Sequence, residues 1–168
     1  MKNLTQGRYF KQERTRVYPD GRQDTYRETK KHEEPTICRA CGSLFTNGRW
    51  TWDEIPEHAN EATCPACKRI HDRFPAGIVT LSGLFLNEHK EEILNMVHNI
   101  CKLEVSEHPL ERLMEINEEL KDQIIIKTTG THLARRIGDA VRRAYQGALD
   151  YSYDGEDFLR IGWRREAD

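Results

Sequence analysis

The sequence predicts an α+β protein built from an N-terminal basic arm, a zinc ribbon with four cysteines, and an α-ββ-α-ββ module with a small antiparallel sheet. Three observations lead to this fold class. Two C-x2-C pairs lie 22 residues apart, two amphipathic helical patterns occur in the second half of the chain, and a pair of extended apolar segments follows each pattern. The predicted boundaries are 1–35 for the arm, 36–83 for the zinc ribbon and 84–168 for the module.

The arm is predicted from its composition. It is polar and almost free of aliphatic side chains, so it cannot bury enough apolar surface to offset its ordering entropy, and we expect it to be flexible. Residues 1–31 carry nine Lys and Arg against four acids, whereas residues 86–122 carry four against ten. Because the net charge of the whole chain is only -2, this separation of charge is more informative than the sum.

The cellular compartment follows from what the sequence lacks. No apolar run approaches the roughly 18–20 residues that span a bilayer, and the N-terminus lacks the apolar stretch of a secretory signal. We therefore expect a cytoplasmic protein with no membrane partner. Thiols stay reduced in that compartment, which favours metal binding by the cysteines over disulfides.

The two cysteine pairs predict a structural metal site. A C-x2-C turn places two sulfurs on one side of a tight bend, and two such knuckles complete a tetrahedron around Zn²⁺. The predicted ligands are Cys38, Cys41, Cys64 and Cys67. Gly42 directly follows the first pair, where a knuckle often needs a residue that tolerates positive φ.

Other uses of the cysteines remain open at this stage. Four thiolates could also hold an iron–sulfur cluster, because ligand softness alone does not separate iron–sulfur from zinc. A thioredoxin-like redox pair is not indicated. Such a pair lies at the start of a helix that follows a strand, and the first cysteine pair is not predicted to lie there. His58 and His71 are interpreted as bystanders because four thiolates already close the shell, and Cys101 as a buried residue of a helix.

The remaining elements follow from periodicity. "LNEHKEEILNMVHNICKL" predicts an amphipathic helix, and "THLARRIGDAVRRAYQG" a second one with Thr131 as N-cap and Gly147 just past its end. The segments "ERLMEIN" and "DQIIIKTT" predict a hairpin, although the first could instead be a helix after Pro109. "ALDYSYD" and "FLRIGWRR" flank the turn "DGED" in another hairpin, and Asn47-Gly48 predicts a tight turn within the ribbon, ahead of a second cysteine knuckle.

Basic and aromatic residues indicate contact with nucleic acid. The guanidinium group of arginine donates hydrogen bonds to phosphate oxygens, and exposed aromatic rings stack on bases. The alternative is that one tryptophan packs beneath the metal site and that the arginines are merely solvated. The candidate RNA-binding residues are Arg39, Arg49, Trp50, Trp52, Lys68, Arg69, Arg73, Arg135, Arg136, Arg142 and Arg143. The acidic stretch from Glu111 to Asp122 would repel phosphate.

Catalysis is not indicated. The sequence contains no Gly-rich phosphate loop, no nucleophile elbow and no HExxH motif, and its paired carboxylates lie in charged segments typical of a surface. We therefore expect a protein that is not an enzyme and has no evident small-molecule substrate.

The segments "CRACGSLFTNGRW" and "CPACKRIHDRFPAG" resemble a family of uncharacterised bacterial zinc-ribbon proteins over nearly the whole chain after Pro35. More distantly, the first segment and "EINEELKDQIIIKTTGTHLARRIGDAV" resemble the zinc-ribbon adaptor that exports the large ribosomal subunit in eukaryotes and has archaeal relatives. This chain lacks the adaptor's further knuckles and export signals, so export does not carry over.

The resemblance implies binding to rRNA or to the large ribosomal subunit, in ribosome assembly, quality control or hibernation. The alternative is a protein–protein adaptor with a structural zinc site and no direct RNA contact. The sequence makes no prediction of the oligomeric state.

Overall fold

The structure is a computed structural model that describes residues 26–28, 30–154 and 158–167. Most of the predicted arm and part of the predicted "DGED" turn lie outside these residues. In the described part the chain forms two mixed sheets and three helices. The strands are β1 (Thr36–Cys38), β2 (Leu44–Thr46), β3 (Arg49–Thr51), β4 (Asn60–Ala62), β5 (Gly77–Ser82), β6 (Leu113–Asn117), β7 (Gln123–Thr128), β8 (Ala148–Tyr153) and β9 (Leu159–Arg164). The helices are α1 (Pro65–Asp72), α2 (Leu84–Glu107) and α3 (Thr131–Tyr145).

The first sheet has the strand order β3-β2-β1-β4. Strands β2 and β3 form the hairpin predicted around Asn47-Gly48, and both turn residues have positive φ, as a tight turn of this kind requires. Strand β1 pairs antiparallel with β2 and parallel with β4, with Cys38 opposite Ala62. The parallel pair positions the metal site described below.

The last residues of the predicted arm pack against this hairpin. The carboxylate of Glu34 accepts hydrogen bonds from the backbone N–H groups of Asn47 and Gly48, at 3.2 and 2.7 Å. The ring of His32 lies edge-on to Phe45 and to Trp50, with centroids 5.3 and 5.4 Å away. In the described residues, the segment just before β1 is therefore joined to the metal-binding part of the chain.

The second sheet has the order β6-β7-β5-β9-β8, so the prediction of a purely antiparallel sheet is wrong. The sheet is mixed because the additional strand β5 lies at its centre, antiparallel to β7 and parallel to β9. Sequence analysis placed residues 77–82 with the zinc ribbon. Gly77 allows close packing against α3, since a Cβ at this position would lie 2.5 Å from the Cβ of Ala134.

Both long helices pack on one face of this sheet, as their periodicity predicts. Ile93, Val97 and Cys101 of α2 are buried against the same core as Leu133 and Ile137 of α3. The described helices include none with the length and apolar character required for a transmembrane segment. The two predicted hairpins are also present, and the segment after Pro109 forms strand β6 rather than the alternative helix.

Helix α3 is capped differently from the prediction. Its N-cap residue is Gly130, so Thr131 lies within the first turn and the prediction of Thr131 as N-cap is wrong. The Glu111 carboxylate instead accepts a hydrogen bond from the Leu133 N–H at 2.9 Å. Burial raises the pKa of Glu111, although this hydrogen bond and the nearby histidines favour its charged form. A residue distant in sequence thus supplies the cap.

This cap gives a first testable expectation. Glu111→Ala should lower the free energy of unfolding by about 1 kcal/mol, because it leaves an N-terminal donor of α3 without its partner. Glu111→Gln should lower the free energy of unfolding by a smaller amount, since the amide oxygen can still accept the hydrogen bond. Urea unfolding followed by circular dichroism measures both changes. Glu119→Ala, which removes an exposed carboxylate near the β6–β7 turn, should stay within about 0.5 kcal/mol of the parent; equal losses at both positions would contradict the capping role.

Candidate metal centre

The parallel pairing of β1 and β4 brings the two cysteine pairs together. Cys38 is the last residue of β1, and Cys64 follows β4 by two residues, so both pairs leave the sheet at the same end. The first pair forms a tight turn in which Gly42 donates to the Cys38 carbonyl at 2.9 Å and has a φ of 80°. The predicted need for positive φ at Gly42 is confirmed.

The second pair differs from the predicted knuckle. Cys64 is the N-cap of α1, and its sulfur accepts a hydrogen bond from the Cys67 N–H at 3.4 Å. Pro65 occupies the first turn, where it costs no helical hydrogen bond. The second pair therefore combines an N-cap with the first turn of a helix, which holds its two sulfurs on one side as a knuckle would.

The four cysteines are positioned to hold one metal ion. All four sulfurs lie within 4.8 Å of one another, and those of Cys41 and Cys64 are 3.8 Å apart. A tetrahedron with zinc–sulfur bonds of about 2.3 Å has edges of about 3.8 Å, so this geometry is consistent with zinc. Cys38 and Cys64 are fully buried, which suits a closed structural site. Among the described residues, this metal-ligand cluster includes neither His58 nor His71.

Burial and hydrogen bonding act in opposite directions on these thiols. Burial disfavours the Cys41 thiolate, but hydrogen bonds from the side chain and backbone of Ser43, with those from Arg112 and Cys38, together outweigh burial and lower the pKa of Cys41 to about 6. Burial, reinforced by the neighbouring thiolates, raises the pKa of Cys64 far above its usual range, and burial likewise raises the pKa of Cys67. Because a metal binds the thiolate form, metal binding here would release protons.

Arg112 connects the second sheet to this site. Its guanidinium donates to the sulfurs of Cys67 and Cys64, at 3.2 and 3.5 Å, and to the Pro109 carbonyl at 2.7 Å. Four thiolates around a divalent cation leave a net charge of -2, which an adjacent guanidinium partly offsets. The guanidinium also lies 5.8 Å from the ring centroid of Trp52. Arg112 is thus a second-sphere partner of the cysteines.

Sequence reasoning missed Arg112. It lies 45 residues beyond Cys67, in a stretch whose acidic composition suggested only repulsion of phosphate. Neither the composition nor the spacing of the sequence relates this arginine to the cysteines. The Thr129 hydroxyl oxygen, which accepts a hydrogen bond from the Arg112 backbone N–H at 2.8 Å, is equally remote in sequence.

Two of the predicted RNA-binding residues are buried and serve packing. Trp50 is 6% exposed and lies edge-on to Phe45 beside the buried cysteines, so the alternative of a tryptophan packed under the metal site describes it better. Arg69 is 4% exposed and donates to the Phe74 carbonyl at 3.2 Å. Burial removes both side chains as candidates for direct contact with bases or phosphates.

The other predicted residues are exposed or half-buried and lie in two separate parts of the structure, the metal-binding part and α3. Arg39 forms an ion pair with Glu61, and Trp52 is 41% exposed while its indole donates to the Val105 carbonyl. Arg136 is half-buried and forms an ion pair with the buried Glu104. The remaining exposed cations are Arg49, Lys68 and Arg73 in the metal-binding part, and Arg135, Arg142 and Arg143 on α3.

Comparisons with models of protein families, with curated proteins and with solved structures found no match. The account of the site therefore rests on the geometry of the four cysteines and their neighbours.

The metal site gives a second testable expectation. Cys64→Ser should abolish stoichiometric metal binding and unfold the first sheet and α1, because this small core depends on the ion, while α3 and its hairpin stay at least partly formed. Metal analysis and thermal melting measure the two effects. The control is Cys101→Ala, since Cys101 is buried in the other core; it should keep full metal content. Unchanged metal content and melting in Cys64→Ser would contradict the expectation.

A third expectation concerns Arg112. Arg112→Gln should retain stoichiometric metal but release it to a chelator roughly 10-fold faster, because loss of a second-sphere partner typically weakens metal binding about 10–100-fold. Arg112→Lys should release the metal at a rate between those of the parent and Arg112→Gln. Lysine keeps the positive charge but lacks the planar guanidinium that donates to both sulfurs. Lys127→Gln, which removes a surface cation paired with Glu115, is the matched control. Identical release rates in all four proteins would show that Arg112 does not influence the site.

Proposed function

We propose that this chain is a cytoplasmic RNA-binding protein that uses a structural Zn²⁺ site to present a rigid basic surface, and that its target is rRNA or the large ribosomal subunit. Such a factor would act in ribosome assembly, quality control or hibernation. Binding, rather than catalysis of a reaction, is its proposed role.

The character of the metal site supports a structural role. Four sulfurs within 4.8 Å of one another would fill a tetrahedral shell, whereas catalytic zinc sites keep one position for water or substrate. The donor set consists of thiolates held close together and largely buried, which suits zinc. The ion would stabilise the part of the chain from β1 to α1, whose own hydrophobic cluster is small.

The distribution of charge is the main observation that supports the proposal of RNA binding. Arg49, Lys68 and Arg73 are exposed around the metal-binding part. The first 31 residues add nine Lys and Arg against four acids. Cations of this kind bind phosphate groups regardless of the base sequence of the RNA, and rRNA carries a dense array of phosphates. The resemblance to the ribosomal export adaptor favours the large subunit as the particular target.

A groove favours the second candidate, a protein–protein adaptor. It has a volume of about 840 Å³ and lies between the β2–β3 hairpin and the segment that follows α2. Carboxylates outnumber arginines along its lining, which contains Glu28, Asp53, Glu107 and Glu111 against Arg49. Phosphate would be repelled there, whereas a basic peptide would be attracted.

Co-sedimentation with ribosomal particles separates the two candidates and gives a fourth expectation. At low salt the protein should migrate with the large subunit, and added salt should release it, because phosphate contacts lose affinity as counterions compete. Arg49→Ala with Lys68→Ala should weaken this association. Lys102→Ala with Lys121→Ala removes two exposed cations from the acidic range 86–122 and serves as the matched control.

The outcomes differ clearly. Protein that stays at the top of the gradient at low salt, and that binds no purified rRNA, would refute the proposal. Co-sedimentation that is insensitive to salt and to the Arg49 and Lys68 substitutions would instead favour the adaptor.

A further inference from the structure

Helix α3 and the neighbouring edge strand β8 form an exposed surface that the metal-centred proposal does not use. We define the α3–β8 surface by Arg135, Arg142, Arg143, Tyr151 and Tyr153. Strand β8 is the outer strand of its sheet, where within the described ranges it pairs with β9 alone, and β8 also contacts α3. Tyr151 and Tyr153 occupy alternate positions of β8, so both project from the same face of the sheet.

The charge on this surface is positive. Helix α3 carries four arginines on its polar side, opposed by Asp139 and by the buried Glu104 of α2. Glu104 is engaged by Arg136, and its carboxylate lies 3.7 Å from the His132 ring nitrogen. Among the described residues, Arg142 and Arg143 form no ion pair. Their charges are therefore available to an anion.

Two tyrosine rings lie directly beside these arginines. Tyr151 and Tyr153 are 41% and 48% exposed, so a large part of each ring is open to solvent. The Arg135 guanidinium lies 5.7 and 5.8 Å from the two ring centroids. The Tyr151 hydroxyl donates to Asp139, which fixes the orientation of that ring. The Tyr151 ring is thus held in place, and both rings remain partly exposed.

A cleft of about 360 Å³ lies between α2 and α3, and two of its lining residues, Arg135 and Asp139, also contact the tyrosines. Its polar lining comprises His132, Arg135, Arg136, Asp139 and Arg143. Arg135 is shared: it lines the cleft and also lies over the tyrosines. Phosphate-binding groups and base-stacking groups therefore meet at one side chain.

We propose that the α3–β8 surface binds single-stranded RNA, with a backbone phosphate in the arginine-lined cleft and unpaired bases stacked on Tyr151 and Tyr153. This inference rests on the proposed RNA-binding function and deepens it by assigning a surface and a class of RNA. In an A-form duplex the bases are stacked on one another, so their faces cannot reach protein rings. Adjacent phosphate and ring sites are instead typical of proteins that bind single strands.

The test is fluorescence anisotropy with a labelled 12-nucleotide oligouridine and with a duplex of the same length. Tyr153→Ala should weaken single-strand binding by about 5- to 150-fold, the loss expected for one stacked base, and leave duplex binding unchanged. Tyr153→Phe keeps the ring and should bind like the parent. Arg143→Ala should weaken binding and reduce the slope of log affinity against log salt by about 0.7, the share of one phosphate contact on a single strand.

Two controls keep the test specific. Lys121→Ala removes an exposed cation from the acidic stretch and should leave single-strand affinity and salt slope unchanged. Far-UV circular dichroism should show that Tyr153→Ala folds, as its half-exposed side chain suggests. Crosslinking to 4-thiouridine RNA, followed by mass spectrometry, should place the crosslink on residues 148–153.

The outcomes separate this inference from the broader proposal. Parent-like binding by both Tyr153→Ala and Arg143→Ala, with crosslinks elsewhere, overturns the assignment of this surface but leaves RNA binding itself intact. Absence of any RNA binding by the parent protein overturns both. Equal losses in Tyr153→Ala and Tyr153→Phe would exclude stacking by this ring.

Discussion

The convergence of four cysteine sulfurs within 4.8 Å is the constraint on which the metal-binding part of the chain depends. Strands β1 to β4 have three residues each, and the core beneath them consists largely of the cysteines with Phe45, Trp50 and Ala66. So small a cluster buries too little apolar surface to hold its own fold. A metal ion that joins two segments distant in sequence would provide the missing free energy, on the order of 10 kcal/mol.

The site is not isolated from the rest of the molecule. Arg112 donates to the sulfurs of Cys64 and Cys67 from the segment that enters β6, and the indole of Trp52 donates to the C-terminal part of α2. Through these two contacts the metal-binding part is attached to the second sheet and its helices.

Much of this arrangement could be predicted, for identifiable reasons. The spacing of the cysteines indicates a shared ion, and the 3.6-residue period of α2 and α3 predicts their buried faces. Strand β5 was not predicted because its apolar run lacks the alternation of a half-buried strand. The roles of Glu111 and Arg112 depend on contacts between residues far apart in sequence, which periodicity does not reveal. Burial of Trp50 and Arg69 likewise depends on tertiary packing.

In the proposed function the ion has a structural role, and other surfaces of the protein would contact RNA. The presence and coordination of the ion are therefore the first properties to test. X-ray absorption at the zinc edge, on protein purified without added metal, tests the central claim most directly. The account predicts one zinc per chain, coordinated by four sulfur atoms at about 2.3 Å. It would be contradicted by a chain without stoichiometric metal, by nitrogen or oxygen ligands replacing sulfur, or by an iron–sulfur cluster at these cysteines.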